Sequence, residues 1–341
     1  MDGLRVIDFG VVSPLRSQSI WHGLTSAAEP TTPTTLAFMS PEAPYVGIGA
    51  HRSHEELNWE VIQSMGIGVI RRMVGGGSVY LDADQLFFQV IAPLGRYRGA
   101  RSAIINRLLT PFLAAYAAVG LDAMMDSTGE IVVGDTKVCG HGAGEIDGGM
   151  AVVGNLIQHF DASTAASVLA TPHPMVVDVL SELMGRFVAS ARPTGSQADF
   201  VTSASISLSA ALELESYRGV VSDSEWRSIE EFDQKLSAPE SVLLPEFPPA
   251  KPIEPHIIKV RSGVYAVFPL ALSPIYVLTV VFGLVERLVV LRNGVASDVV
   301  EVSGRLPIDA IEVLHSMGIP AAGIEARLAG VGALNQKETV R

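Results

Sequence analysis

Apolar residues in the first half of the chain form short runs that are separated by glycine, proline and polar clusters. Such runs are typical of β-strands, whereas helical spacing of apolar positions is typical of α-helices. Strands are predicted at residues 4–11, 35–40, 45–48, 67–73, 78–81, 85–91 and 150–157. Helices are predicted at residues 17–28, 54–65, 98–119 and 162–169. The segregated order of short strands and helices predicts an α+β fold with a mixed, mainly antiparallel sheet flanked by helices, and not a doubly wound parallel sheet.

In the second half of the chain, a proline-rich interval separates predicted helices from predicted strands. Residues 172–188 and 204–235 have largely helical spacing. Six prolines follow within residues 239–255, where they stiffen the chain and block regular structure. Beyond them, strands are predicted at residues 257–260, 264–268, 275–281, 287–292 and 298–302, and a helix at 308–317. The sequence therefore predicts a large domain of residues 1–240, a linker of residues 241–255 and a small α+β domain of residues 256–341.

The stretch from Val264 to Val285 carries no charge and is long enough to span a membrane. Pro269, Pro274 and Gly283 interrupt it, and valine, isoleucine, tyrosine and threonine recur between them. Interruptions of this kind favour two buried strands joined by a turn over a membrane-spanning helix. We therefore expect no membrane association from this stretch.

The composition narrows the classes of function. Hydrophobic residues make up 48% of the 341 residues, so a sizeable core is expected. The formal net charge of −12 argues against extended nucleic-acid binding, which needs a basic face. The single cysteine cannot form an internal disulfide, and the N-terminus lacks the basic start and apolar run of a signal peptide. Both observations predict a cytoplasmic protein.

The segment with the clearest chemistry is RRMVGGGSVY, residues 71–80. Without Cβ atoms, its three glycines allow the backbone to approach a ligand and to donate N–H groups to phosphate or carboxylate oxygens. The two arginines can donate to the same anion through their fork-shaped guanidinium groups. This segment therefore predicts a binding site for an anion.

A second segment, residues 130–138, predicts a β-hairpin that turns at Gly134 and Asp135. Its second arm carries Lys137, between Gly134 and Gly140, so one ammonium group could meet the anion that the three glycines bind. Together the two segments predict a site for a nucleotide or an acyl phosphate.

These motifs, in this order, resemble the biotin/lipoate A/B protein ligase family, and most closely the lipoate–protein ligases. Residues 71–88 resemble the family's pattern of two arginines, three glycines, an aromatic residue, His-Asp, Gly-Asn and a phenylalanine. Residues 135–140 resemble its Gly-Arg-Lys-Ile-Ser-Gly signature, with Lys137 at the position of the catalytic lysine. The resemblance extends over residues 4–169 and, more loosely, over residues 286–304, which resemble a small C-terminal accessory domain. It implies a fold like that of class II synthetases and biotin ligases.

The resemblance also implies a function for the large domain as an acyl ligase or transferase. An ATP-dependent lipoate–protein ligase activates lipoate or octanoate to acyl-AMP and transfers the acyl group to a lysine of a lipoyl carrier domain. The carriers are 2-oxoacid dehydrogenase subunits, glycine cleavage H-type proteins or similar proteins. Lys137 would be catalytic, and ATP would bind with Mg²⁺, for which the sequence assigns no ligands. The nucleotide and acyl group would be bound by Arg72, Met73, Gly75, Gly76, Gly77, Ser78, Val79, Tyr80, Leu81 and Lys137.

Two other functions are open at this point, and biotin is a weaker alternative for the acid. A nearby lysine would lower the pKa of the Cys139 thiol, so Cys139 is a candidate nucleophile for an ATP-independent octanoyltransferase. On a strand, Cys139 would share a face with Lys137, two residues before it. The family's hydroxyl residue before the glycines is Val74 here, and its histidine is Leu81. These two departures make a non-catalytic acyl-binding or acyl-nucleotide-binding protein the third reading.

Overall fold

The computed structural model describes residues 3–188, 192–238, 241–242, 256–269, 275–292 and 294–319, together with residues 324 and 328. The chain forms two compact units, the first of residues 1–54, 62–160 and 189–250 and the second of residues 55–61, 161–188 and 251–341. The predicted linker lies, apart from Ser241 and Val242, outside the described residues. The division into domains at residues 240 and 256 stays a prediction, while segments 55–61 and 161–188 group with the second unit.

The elements are numbered in chain order. The strands up to residue 218 are β1 (Gly3–Val12), β2 (Thr34–Pro41), β3 (Tyr45–Ile48), β4 (Gly68–Arg71), β5 (Val79–Leu81), β6 (Gln85–Pro93), β7 (Met124–Met125), β8 (Ile131–Val133), β9 (Thr136–Lys137), β10 (Gly142–Ile146), β11 (Gly149–Ile157) and β12 (Glu215–Arg218). The later strands are β13 (His256–Arg261), β14 (Val264–Phe268), β15 (Tyr276–Val281), β16 (Leu284–Arg292) and β17 (Val295–Asp298). The α-helices are α1 (Pro14–Ser26), α2 (Trp59–Ser64), α3 (Arg101–Leu109), α4 (Phe112–Ala118), α5 (Ala162–Ser167), α6 (Pro174–Phe187), α7 (Gln197–Leu212), α8 (Asp223–Ser237) and α9 (Pro307–Ser316).

The first unit is built on a six-stranded sheet in the order β10-β11-β6-β2-β1-β12. Strand β1 is parallel to β2 and β12, whereas the pairs β2–β6, β6–β11 and β11–β10 are antiparallel. The predicted fold class, an α+β fold with a mixed, mainly antiparallel sheet flanked by helices, is confirmed.

Each face of this sheet has its own apolar core, because side chains alternate between the faces of a strand. Along β6, Phe88 and Val90 enter the first core, which α3, α4 and α7 cover, and the Phe88 ring stacks on the Phe112 ring at 3.8 Å. Phe87 and Ile91 of the same strand enter the second core, which α1 and α8 cover.

Two small sheets complete the first unit. In one, β3 lies between β4, to which it is parallel, and β5, to which it is antiparallel. In the other, β8 pairs with β7 and with β9, and Gly134 has a φ of 56° in the β8–β9 turn. The hairpin predicted at residues 130–138 is therefore confirmed.

The second unit contains an antiparallel sheet in the order β13-β14-β15-β16-β17. Its core includes residues of β14, β15, β16 and α9. The apolar stretch from Val264 to Val285 contributes the buried strands β14 and β15, as predicted. Within the described residues, no helix has the length and apolar character needed to cross a membrane.

Three predicted helices are wrong in part, each for a local reason. Residues 54–65 contain a 3₁₀ turn at His54–Glu56, and α2 begins only at Trp59. Residues 56–58 form backbone hydrogen bonds with residues 168–170 instead of continuing the helix. The helix predicted over 98–119 is divided into α3 and α4 at Pro111, which has no N–H to donate. Residues 204–235 contain β12 between α7 and α8.

Candidate functional site

The three consecutive glycines lie between β4 and β5, in a segment we call the glycine loop (residues 72–78). Gly76 has a φ of 107°, which residues with a side chain rarely adopt. The loop packs against the residue after β3, because a Cβ on Gly49 would lie 2.1 Å from the carbonyl oxygen of Gly76. Gly75, Gly76 and Gly77 are exposed, and their N–H groups donate no hydrogen bond within the described part of the chain. Backbone donors in this arrangement suit an anionic ligand.

The two arginines before the glycines have different partners. The buried Arg71 guanidinium donates to the carbonyl oxygens of Gly49 at 2.8 Å, Arg52 at 2.8 Å, Ser241 at 2.9 Å and Val242 at 2.7 Å. These bonds direct the guanidinium to the protein backbone. The prediction that both arginines bind the anion is therefore wrong for Arg71.

Arg72 is half-buried and belongs to the glycine loop itself. Its guanidinium donates to the carbonyl oxygens of Gly47 at 2.9 Å and Gly77 at 2.8 Å. A guanidinium has further N–H donors, and these make no other hydrogen bond among the described residues. Burial lowers the pKa of Arg72 to about 10, so the group is still charged at neutral pH. Arg72 is therefore a fixed cation with N–H donors to spare beside the three glycines.

A buried histidine holds the backbone at the start of the loop. His22 of α1 is 0% exposed, its Nδ1 lies 2.7 Å from the carbonyl oxygen of Gln18, and its Nε2 accepts the Met73 N–H at 3.1 Å. These bonds require a neutral ring that carries its proton on Nδ1. Burial lowers the pKa of His22 to about 3. Sequence reasoning missed His22, because a single histidine in a short predicted helix carries no signal that it is buried against the glycine loop.

The residues after the glycines lie beside β3, where the Arg72 guanidinium also binds. Val79 and Leu81 lie near Gly47, and Tyr80 is on the opposite face of β5 with its ring 6.5 Å from the Phe160 ring. The Ser78 hydroxyl is buried and forms no hydrogen bond within the described residues. A buried hydroxyl beside free backbone N–H groups suits a ligand oxygen.

Lys137 lies on β9, and its side chain is 20% exposed. The ammonium is 3.2 Å from Oε1 of Glu130, which is 5% exposed and precedes β8. The Glu130 backbone is fixed by Asp126, whose Oδ1 accepts the Glu130 N–H at 3.0 Å and whose own N–H donates to the Glu130 carbonyl oxygen at 2.9 Å. A carboxylate on a fixed backbone therefore orients the ammonium. Sequence reasoning missed Glu130, although the predicted hairpin register was the signal that could have found it.

A series of hydrogen bonds connects the Lys137 segment (residues 136–140) to β5, the strand after the glycine loop. The Gly140 N–H donates to Oδ1 of Asn155 at 2.6 Å, and Nδ2 of Asn155 donates to Oε1 of Gln85 at 2.7 Å. Nε2 of Gln85 then donates to the carbonyl oxygen of Tyr80 at 3.4 Å. Asn155 and Gln85 share the sheet face of Phe87, so these bonds connect Gly140, which follows Lys137, to Tyr80, which follows the glycine loop, on the side of the second core.

The glycine loop also contacts β10 on this face. A Cβ on Gly144 would lie 2.1 Å from Cγ1 of Val74, so the valine occupies the space of the missing side chain. Val74 further accepts the Ala50 N–H at its carbonyl oxygen, at 3.0 Å. Val74 therefore fixes the glycine loop against β10 by a packing contact.

Cys139 is not on the face of Lys137, so that prediction is wrong. Strand β9 ends at Lys137, and the alternation of side chains does not continue to Cys139. The thiol is 0% exposed and lies in the first core near Tyr116. Burial raises the pKa of Cys139 and favours the protonated thiol over the thiolate that a nucleophile needs.

A cleft of about 560 Å³ lies elsewhere in the first unit, between β1 and α8. Its buried cation, Arg5, donates to both carboxylate oxygens of Glu225 and to Oγ1 of Thr35. Because these bonds already satisfy the guanidinium, we place the candidate site at the glycine loop. Among the described residues, no group of three or more histidine, cysteine, aspartate or glutamate side chains could hold a metal ion.

The sequence pattern of the lipoyl protein ligase A/B catalytic domain matches residues 19–191, half of the chain. The chain is also similar to octanoyltransferase LipM of Moorella thermoacetica, with 32% identity over 90 residues, which are 26% of this chain and 33% of that protein. Its identity to lipoate–protein ligase 1 of Staphylococcus aureus is 28% over 115 residues, which are 34% of each chain. The chain thus spans about a third of the length of these curated relatives.

A solved structure shows the fold. The bi-partite lipoate protein ligase of Thermoplasma acidophilum, which was studied with its E2 lipoyl domain, superposes with a TM-score of 0.65 at 20% identity. The superposition covers 72% of this chain and 99% of that chain.

Proposed function

This chain belongs to the family of lipoyl protein ligase A/B catalytic domains, and from that premise we propose that it is an ATP-dependent lipoate–protein ligase. It activates lipoate or a similar medium-chain acid to acyl-AMP and transfers the acyl group to a lysine of a lipoyl carrier domain. The observation that supports the proposal is the series of hydrogen bonds that connects Gly140, three residues after Lys137, to Tyr80, which follows the glycine loop. The similarity to a lipoate–protein ligase supports the ligase activity.

The chemical difficulty of this reaction is the approach of two anions. A carboxylate has to attack the α-phosphate of ATP, and fixed positive charge and N–H donors placed there lower the barrier. The N–H groups of Gly75–Gly77, the Ser78 hydroxyl and the remaining donors of Arg72 fit the phosphate oxygens. Met73, Val79, Tyr80 and Leu81 hold the loop and border the nucleotide.

Lys137 has two successive tasks in this proposal. During activation its ammonium offsets the repulsion between the carboxylate and the phosphate, and during transfer it stabilises the negative charge that develops on the acyl carbonyl oxygen. Glu130 keeps the ammonium oriented in the absence of substrate. Mg²⁺ is expected with ATP, and no metal ligand is proposed from the protein.

The acceptor of the acyl group is proposed to be a lipoyl carrier domain. The similar archaeal ligase was studied with an E2 lipoyl domain, which supports a lipoyl domain of a 2-oxoacid dehydrogenase as the acceptor here. Glycine cleavage H-type proteins are the next candidates to assay.

The test is pyrophosphate release with ATP and lipoate, octanoate or biotin. A Lys137→Met chain should lose at least about a hundredfold in rate, since the cation that offsets the repulsion is removed. Lys259→Met is the matched control, because Lys259 is an exposed lysine on β13. A Lys137→Met chain that makes acyl-AMP at the parent rate would contradict the proposal.

An ATP-independent octanoyltransferase is the second candidate, and the similarity to octanoyltransferase LipM favours it. Its nucleophile would have to be Cys139, whose burial and raised pKa count against this role. Incubation with octanoyl-carrier protein without ATP distinguishes the two activities. Unchanged transfer by a Cys139→Ser chain would exclude Cys139 as the nucleophile. A non-catalytic acyl-binding protein would bind these acids in calorimetry but release no pyrophosphate.

A further inference from the structure

The central sheet has an unusually placed polar group on the face of the candidate site. Gln89 of β6 is 2% exposed and lies two residues from both Phe87 and Ile91, so its side chain is on their side of the sheet, the side of the second core. Its Nε2 lies 3.9 Å from Sδ of Met39, which can only accept a hydrogen bond. Its Oε1 has no hydrogen-bond partner in the described part of the chain.

The strand register places Gln89 between the two halves of the candidate site. On one side, Ile91 pairs with Ala151, which pairs with Gly144, the residue that contacts Val74 of the glycine loop. On the other side, Phe87 pairs with Asn155, whose side chain binds the Gly140 N–H after Lys137. The residues that pair across the sheet at Gln89 therefore lie between those next to the glycine loop and those next to the Lys137 segment.

The two cross-strand neighbours of Gln89 have aliphatic side chains. Ala37 on β2 and Val153 on β11 flank it directly, and Val153 pairs with Gly142 of β10. The Gln89 oxygen has no hydrogen-bond partner among the described residues and is buried on this side of the sheet. A buried acceptor among apolar neighbours is unfavourable unless a donor reaches it.

We propose that Oε1 of Gln89 accepts a hydrogen bond from the acyl chain of the substrate, so that the preferred acid is a medium-chain acid that carries a hydroxyl or amide N–H group. This inference rests on the proposed function, because it takes the space between the glycine loop and Lys137 as the acyl site. Octanoate and lipoate carry no such donor on the acyl chain, so each leaves the oxygen without a partner and binds more weakly than an acid that supplies one. Gln89 is a specificity-determining residue, and it takes no part in proton transfer.

The test is calorimetric binding of octanoate, lipoate, biotin and a set of monohydroxylated octanoates that differ in hydroxyl position. The full chain should bind at least one hydroxyoctanoate or biotin about tenfold more tightly than octanoate, the effect of one satisfied buried hydrogen bond. A Gln89→Met chain, with a side chain of similar length and no oxygen, should bring this ratio to about one. Gln63→Met, at an exposed glutamine of α2, should keep the parent ratio.

The outcomes separate this inference from the proposed function. If the parent chain binds octanoate as tightly as every donor-bearing acid, or if Gln89→Met keeps the preference, the role of Gln89 is refuted while the ligase proposal stands. If none of the acids binds to the chain, the proposed function itself fails. The parent chain's own preference decides the matter even when the Gln89→Met chain does not fold.

Discussion

Replacement of Gly49 by alanine tests whether the glycine loop has to keep its position for activity. Gly49 follows β3, and its φ is not in the region that excludes a side chain, so only the added Cβ matters. That Cβ would lie 2.1 Å from the carbonyl oxygen of Gly76, whereas real Cβ atoms essentially never approach closer than 3.0 Å. The two groups must therefore separate by about 0.9 Å, and the Gly76 carbonyl belongs to the exposed loop.

The expected effect follows from this displacement. A shift of about 1 Å in groups that position reactants can reduce a rate about a hundredfold. Crowding of a packed contact also destabilises a fold by about 1–3 kcal/mol. We expect the Gly49→Ala chain to remain folded and to release pyrophosphate about a hundredfold more slowly, with a higher KM for ATP.

The control is Gly68→Ala, in the adjacent strand β4. A Cβ there would meet only Cβ of Tyr45, at 3.7 Å, which is an ordinary contact. Thermal melting and initial rates of pyrophosphate release are measured on both chains. A Gly49→Ala chain that works within twofold of the Gly68→Ala chain would refute the argument that the loop position sets the rate.

Three more predictions address the contacts around the loop and the lysine. Glu130→Gln should slow pyrophosphate release about tenfold at saturating ATP, because Lys137 regains part of its rotamer freedom of about 2 kcal/mol; an unchanged kcat speaks against a positioning role. Gly144→Ala should destabilise the fold by about 1–3 kcal/mol, and addition of Val74→Ala should restore most of this loss in urea unfolding; simply additive effects contradict the contact. The pKa of His22 is lowered from 6.5 to about 3, so the unfolded chain binds a proton that the folded chain does not, and stability falls by up to about 1.4 kcal/mol per pH unit below pH 6.5. His22→Gln should flatten this decline in urea unfolding between pH 7 and pH 4.5, and an unchanged slope would assign it to other groups.

The sequence predicted the elements that local chemistry determines. The strands on either side of the glycines and the hairpin that carries Lys137 depend on alternation and on glycine turns, which are visible in a single segment. The functional roles of the predicted binding residues stay predictions.

Other features depend on partners that are distant in the sequence. Adjacent arginines look equivalent in the sequence, but carbonyl groups about 170 residues later give Arg71 a structural role. His22 and Gln89 are polar residues in buried positions, and only the packing of α1 and the register of β6 reveal their surroundings. Cys139 was assigned to the wrong face because β9 ends before it.

The contacts of Arg71 have a practical consequence for dissecting the protein. Two of its hydrogen bonds are donated to the carbonyl oxygens of Ser241 and Val242. The Arg71 guanidinium therefore binds a part of the chain that follows α8. A recombinant fragment that stopped at residue 240 would remove two of the carbonyl acceptors of the Arg71 guanidinium next to the glycine loop. A fragment designed to keep the contacts of Arg71 therefore has to extend at least to Val242.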